Sequence, residues 1–232
     1  MSKGLFVLGT GTDVGKTYVT GLLLKYIRDN GYNASYFKAA LSGAIRDNEG
    51  KLIPGDAVEV INMAGLEEDT DFLVPYIYET AVSPHLASQI EGNPVELDKV
   101  KHAYEEVSKK YDYIVMEGSG GIVCPIRYDG QGCKSNILLE DIIKCLDLNV
   151  LLVADAGLGT INSVITTVDY LKNRDIQVCG ILLNNFKDMP MENDNLKMIE
   201  ELGGVDVIAK IYKNDKNLSL DVQLDVLMNY FK

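Results

Sequence analysis

The chain has 232 residues, 47% apolar and 24% charged, with a formal net charge of −12. That length suits one large α/β domain, and the composition is neither that of a disordered segment nor that of a membrane protein. Phosphate contacts to nucleic acid need clustered Lys and Arg, so a chain this acidic is not read as a nucleic-acid binder. No apolar run reaches the roughly 20 residues of a membrane span, so no membrane partner is expected.

In chain order, short apolar runs with β-branched or aromatic residues alternate with segments of helical spacing. A strand is predicted at Leu5–Leu8. A helix follows at Lys16–Asp29, with Val19, Leu22, Leu23, Tyr26 and Ile27 on one face. A second strand is predicted at Ala34–Lys38, then helices at Ala57–Ala64 and Leu97–Lys109, and a strand at Tyr113–Glu117. Beyond these come a helix at Leu138–Leu146, a strand at Val150–Ala154 and a helix at Asn162–Lys172. The last elements are a strand at Val178–Leu183, a helix at Asn195–Leu202, a strand at Val207–Ile211 and a helix at Leu220–Tyr230. The strands read as apolar on both faces, which suits parallel strands covered on each side. The alternation predicts an α/β fold with a single doubly wound, mostly parallel sheet flanked by helices. Residues 43–56 and 124–136, rich in Gly, Asp and Asn, are read as loops on the side of the active site.

The N-terminal strand passes straight into a glycine-rich loop without a signal-peptide pattern, so the cytoplasm is the expected location. Cys124, Cys133, Cys145 and Cys179 form no C-x-x-C pair, and there are only two histidines. A zinc site is therefore not expected. The cysteines are read as free thiols of a reducing compartment, each serving as a small buried apolar residue.

The strongest motif is Gly9-Thr10-Gly11-Thr12-Asp13-Val14-Gly15-Lys16-Thr17, set between the first strand and the first helix. This is the context of a phosphate-binding P-loop. Small residues let successive amides turn toward phosphate oxygens, and the helix N-terminus adds partial positive charge. Lys16 can reach the β- and γ-phosphates, and the Thr17 hydroxyl can ligate Mg²⁺. The loop is one residue longer than G-x-x-x-x-G-K-[ST], because position 10 is Thr. The strand Tyr113–Glu117 ends in an acid followed by Gly118-Ser119-Gly120-Gly121. A carboxylate there can hold Mg²⁺ directly or through water. Lys38 ends the second strand, so Lys38 and Ser42 are expected to face the crevice beyond the carboxyl ends of the strands.

Together these motifs resemble the dethiobiotin synthetase family. The match comprises Gly9–Thr17, Lys38 with Ser42 and Gly43, Ser83-Pro84-His85, Glu117–Gly121, Gly157–Asn162 and Asn184-Asn185, in family order. The resemblance implies a P-loop enzyme that uses ATP and Mg²⁺ to close a ring on 7,8-diaminononanoate with CO₂. It also implies a homodimer with the active site at the subunit interface. Lys38 and Lys16 would be catalytic, and Thr17, Asp56 and Glu117 would bind the metal. Asp56 could instead be a helix N-cap. ATP would be held by Asp13, Val14, Gly15, Lys16, Thr17, Tyr18, Asp56, Glu117, Gly118, Ser119, Gly120, Asn184, Asn185, Ile211, Tyr212 and Lys213. The substrate would meet Thr12, Lys38, Ser42, Pro84, His85, Gly159, Thr160 and Asn162. His85, after a proline, is read as part of a fixed turn in the pocket wall rather than as a base, and His102 as a surface residue. Thr160 is read as an N-cap, with free amides nearby for a carboxylate. Near Ile211–Lys213 the chain lacks a proline that the family often has.

Two other readings share this sheet. An ATPase switch of the ParA or MinD kind carries a signature lysine five residues before the P-loop lysine, where this chain has Gly11. Its membrane attachment is also disfavoured, because Asp221 and Asp225 lie in the C-terminal helical segment. An amide-forming synthase of the cobyrinate kind would use a glutamine amidotransferase domain, for which the chain is too short.

Overall fold

A computed structural model describes residues 2–232. The first third of the chain forms β1 (Lys3–Gly9), α1 (Lys16–Asp29), β2 (Ala34–Phe37), β3 (Leu41–Ser42), β4 (Ile45–Arg46), β5 (Leu52–Ile53), α2 (Gly55–Ala64), α3 (Thr70–Leu73) and β6 (Ile77–Tyr78). The middle forms α4 (Pro84–Ile90), α5 (Leu97–Lys110), β7 (Tyr113–Glu117), β8 (Pro125–Arg127), β9 (Ile137–Leu138) and α6 (Leu139–Cys145). The remainder forms β10 (Asn149–Asp155), α7 (Thr160–Lys172), β11 (Val178–Phe186), α8 (Pro190–Gly203), β12 (Val207–Tyr212) and α9 (Leu224–Met228).

Six strands join in one sheet of order β12-β11-β10-β1-β7-β2, and every pairing is parallel. All six coincide with the strands predicted from the sequence. Helices cover both faces, so Leu5, Phe6, Val7 and Leu8 of β1 and Val150–Ala154 of β10 are wholly buried, as strands with no solvated face must be. The chain crosses to one side of β1 to lay down β2 and β7, then to the other for β10, β11 and β12. That reversal opens a crevice beyond the carboxyl end of β1, where open α/β sheets bind ligands.

Several predicted boundaries are corrected. Residues 43–56 and 124–136 are not plain loops: the first carries the short antiparallel ribbon of β4 with β5, and the second contains β8, which pairs antiparallel with β9 just beyond it. The Pro84-His85 segment is not a fixed turn but the start of α4, because proline at the first helical position supplies the required φ at no hydrogen-bonding cost. Helix α8 begins at Pro190 rather than Asn195, stabilised by the Glu192 carboxylate accepting from the Met189 amide at 3.1 Å. Helix α9 begins only at Leu224, because the Asp221 amide donates to the Ile208 carbonyl at 2.8 Å and ties the preceding residues to β12. Thr160 is the first residue of α7 and Gly159 occupies the cap. Pro54 precedes α2, so Asp56 lies inside the first turn and is not its N-cap.

The cysteines are free, but they are not fully buried: Cys133 is exposed and Cys124, Cys145 and Cys179 are half-buried. Cys133 stands on the exposed loop between β8 and β9, where its thiol donates to the Asp129 carbonyl at 3.6 Å. No helix among the described residues is long and apolar enough to cross a membrane.

Candidate active site

The loop from β1 to α1 is shaped by two left-handed residues, Asp13 at φ 58° and Gly15 at φ 84°. Gly15 is required twice over: a Cβ there would also lie 2.1 Å from Asn184 Nδ2. The first turn of α1 has no side-chain cap and no acidic residue. Its N-terminal amides are therefore left for an anion. Lys16 folds back over the loop, with Nζ donating to the Gly11 carbonyl at 2.8 Å. Burial pushes the Lys16 ammonium below its ordinary pKa; Glu117 pulls it back up, and Lys38 adds to the depression.

The carboxyl ends of β1, β2 and β7 bring the remaining groups to this loop. Glu117, at the end of β7, is buried. Its Oε1 accepts from the Thr17 hydroxyl at 2.9 Å and from Lys38 Nζ at 2.9 Å. Lys38 also donates to Asp56 Oδ2 at 2.5 Å, so one buried ammonium bridges two carboxylates. Burial alone would lower the Lys38 pKa, but Glu117 and Asp56 more than offset it. Lys38 is therefore a cation here and not a proton acceptor.

The cleft above these groups has a volume of about 520 Å³. It is lined by Thr12, Asp13, Gly15, Lys16, Thr17, Tyr18, Lys38, Ser42, Asp56, Pro84, Glu117, Gly118, Ser119 and Gly120 from the sequence-predicted set. Hydrogen bonds fix its walls. Ser42 Oγ donates to the Val82 carbonyl at 2.5 Å and Ser119 Oγ to the Ala40 carbonyl at 2.8 Å.

The oxygens of Thr17, Asp56 and Glu117 fit a small hard divalent cation, and Lys38 already places positive charge between the two acids. No cluster of three or more His, Cys, Asp or Glu suited to a metal occurs among the described residues.

Other predicted residues stand apart from the cleft lining. Asn184, at the end of β11, reaches the loop and donates from Nδ2 to the Val14 carbonyl at 3.0 Å. Asn185 turns away, left-handed at φ 57°, and donates to Asp155 at 2.7 Å. Val14 packs against the core. Ile211 is buried within it, Tyr212 stands edge-on to the Phe186 ring, and Lys213 is exposed. His85 pairs its Nδ1 with Ser83 Oγ at 3.0 Å outside the lining, and His102 is exposed. Gly159, Thr160 and Asn162 lie at the start of α7, also outside it.

Sequence reasoning overlooked Leu41, Glu59 and Val82, which also line the cleft together with Ser83 of the matched Ser83-Pro84-His85 motif. Cys124, read from the sequence as a small buried apolar residue, is a further lining residue. Sequence reasoning overlooked Asp215, whose carbonyl accepts from the Tyr18 hydroxyl. It also missed Tyr36, whose hydroxyl donates to Glu117 Oε2 at 2.8 Å. A signal for Tyr36 existed: it stands two residues before Lys38 and so shares its face of the strand.

A family model described as an AAA domain matches residues 3–217. The ATP-dependent dethiobiotin synthetase BioD of Clostridium novyi is 56% identical over 212 residues, covering 91% of this chain and 87% of that one. The chain belongs to the dethiobiotin synthetase family. The family's BioD from Brachyspira hyodysenteriae is 48% identical, covering 95% of this chain and 96% of its own length. Among solved structures, the MinC:MinD cell division complex of Aquifex aeolicus aligns with a TM-score of 0.56 at 14% identity, covering 93% of this chain and 83% of that chain. The signal recognition particle receptor FtsY of Elizabethkingia anophelis aligns with a TM-score of 0.54 at 15% identity, covering all of this chain and 66% of that chain. At such identities these two show a shared fold and nothing more.

Proposed function

We propose that the chain catalyses the ATP-dependent ring closure of 7,8-diaminononanoate with CO₂, yielding dethiobiotin, ADP and phosphate. The observation that carries this reading is the Lys38 ammonium held between Asp56 and Glu117 beside the P-loop. The relatives' names, ATP-dependent dethiobiotin synthetase, support ATP as co-substrate and dethiobiotin as the product.

One amine of the substrate takes up CO₂ and loses a proton, giving a carbamate. A carbamate oxygen attacks the γ-phosphorus of ATP, forming a carbamic–phosphoric anhydride and releasing ADP. The second amine attacks the carbonyl carbon, closes the ureido ring, and expels phosphate with loss of a proton. Both carbamate and triphosphate are anionic, so charge stabilisation and positioning dominate the catalysis. Lys16 and the α1 amides hold the β- and γ-phosphates. Lys38 neutralises charge between the carbamate and the γ-phosphate. Thr17, Asp56 and Glu117 would hold Mg²⁺, which supplies further charge neutralisation on the phosphates.

Thr12, Ser42 and Pro84 line the part of the cleft assigned to the diamine, with His85 behind the wall. Asn184 is assigned to the purine edge, and the segment Ile211–Lys213 to its surroundings. Gly159, Thr160 and Asn162 are assigned to the carboxylate tail bound in a second copy's cleft, which makes the working unit a homodimer. Three features support that assignment. α7 has no side-chain cap, its first turn has no acidic residue, and the Thr160 hydroxyl is buried without a hydrogen-bond partner.

The test is phosphate release from ATP with Mg²⁺ and bicarbonate, with and without the diamine, with the product followed by mass. Diamine-dependent release and a product with one added carbonyl bridge are expected. Diamine-independent turnover without a new product would overturn the reading.

A further inference from the structure

The two oxygens of Glu117 do different work. Oε1 faces the cleft and meets Thr17 and Lys38, each at 2.9 Å. Oε2 turns inward and accepts the Tyr36 hydroxyl at 2.8 Å. Tyr36 has no exposed surface.

The strand register explains how this arises. In the parallel pair, Tyr36 stands opposite Val115 and Phe37 opposite Met116. Continued by one residue, that register sets Lys38 opposite Glu117, with Tyr36 on the diagonal and on the same face as Lys38. β2 and the residue that follows it therefore supply one of the two groups on Oε1 and the group on Oε2. Left free, a glutamate carboxylate turns readily about its last torsion, which is broad and roughly two-fold. It could then meet a cation through either oxygen or both.

We infer that Tyr36 is a positioning residue for the metal–nucleotide site, where its hydroxyl holds Oε2 so that Glu117 offers Oε1 alone to the cation. The inference rests on the ATP reading above and deepens it. A charge-assisted hydrogen bond in a buried setting is strong, and loss of the donor leaves Oε2 unpaired where water cannot replace it. Groups that orient a metal-binding side chain in this way typically change metal affinity by about 10–100-fold.

The experiment measures binding of the non-hydrolysable analogue adenosine 5′-(β,γ-imido)triphosphate at a series of free Mn²⁺ concentrations, with no diamine present. Wild type, Tyr36→Phe and Glu117→Gln are compared. Phenylalanine keeps the ring and its packing, and thermal melts establish that each variant is folded. Tyr36→Phe is expected to bind the analogue as wild type does without metal, but to need about 10–100-fold more Mn²⁺ for its metal-dependent gain. Equal loss with and without metal would mean that Tyr36 merely supports the fold, which overturns the inference. An unchanged Mn²⁺ dependence in Tyr36→Phe, with a weakened one in Glu117→Gln, overturns the inference and leaves the metal reading standing. An unchanged dependence in both variants overturns the assignment of Glu117 to the metal, and this inference with it.

Discussion

The carboxamide of Asn184 spans from the end of β11 to the phosphate loop and donates to the Val14 carbonyl at 3.0 Å, lying against the bare Cα of the next residue, Gly15. This ties the phosphate loop to the end of β11. Gly15→Ala is expected to reduce ATP affinity by more than about 100-fold, because the new methyl meets Asn184 and the left-handed φ disfavours any side chain. Adding Asn184→Ala removes the contact but not the backbone cost. Titration calorimetry on the double variant should therefore show partial rescue at most.

Lys38→Met should remove the cation that bridges Asp56 and Glu117 and strand the buried Glu117 charge. Breaking a buried pair from one side costs about 3 kcal/mol or more. Turnover should fall by about 10²–10³-fold, the usual loss for one group that stabilises transition-state charge. Denaturant melts with and without Mg²⁺–ADP would separate the two effects. The stability deficit should shrink when the divalent cation is present, since it restores positive charge between the acids.

Lys16 is an opposite case. Its pKa is depressed by burial, so the folded protein holds its proton less tightly than the unfolded chain does. The charged lysine therefore costs stability below its folded pKa, and that cost fades as pH rises toward the ordinary value of 10.5. Lys16→Met should raise the melting temperature of the nucleotide-free protein near neutral pH by about 2–4 °C. The same variant should lose the further stabilisation that ATP gives wild type. A lower melting temperature without nucleotide would contradict this account.

Glu68 should contribute to acid sensitivity. Burial opposes its charge, but hydrogen bonds from Lys110 and Tyr111 more than compensate, so its carboxyl lies below the ordinary 4.5. With the folded pKa below the unfolded one, its contribution is complete above about pH 4.5 and is lost as pH falls through the folded value. Glu68→Gln should flatten the acid limb of the stability–pH profile while leaving turnover at pH 7.5 unchanged. Urea melts between pH 3 and pH 7 would check it.

The central sheet was legible because its strands are buried on both faces. Runs such as Leu5–Leu8 and Val150–Ala154 carry that burial in their composition alone. Lys16, Thr17, Lys38 and Glu117 were legible because each stands at or directly beside the end of a strand or the start of a helix at the crevice. Features set by contacts distant in sequence were not. Helix α9 is shortened by a bond from Asp221 to Ile208, and Tyr18 is held by Asp215. Likewise Asn195, predicted merely to begin a helix, is buried and donates to the Ala156 and Gly157 carbonyls, pinning the loop before α7. Helix α4 was missed because Pro84 signals a turn and a helix start equally well.

The sheet order also governs when the nascent chain can acquire its binding site. β1, made before the five strands that join it in the sheet, is central: Leu5 stands opposite Val115 on one side and Asn149 on the other. Neither neighbour exists when the P-loop leaves the ribosome. Closing such long-range parallel pairs is entropically slow. A ribosome-bound chain truncated before β10 should therefore bind ATP poorly although it already carries Lys16, Thr17, Lys38 and Glu117. During synthesis the apolar face of β1 must wait for its partners, and this is the interval in which a chaperone has most to shield.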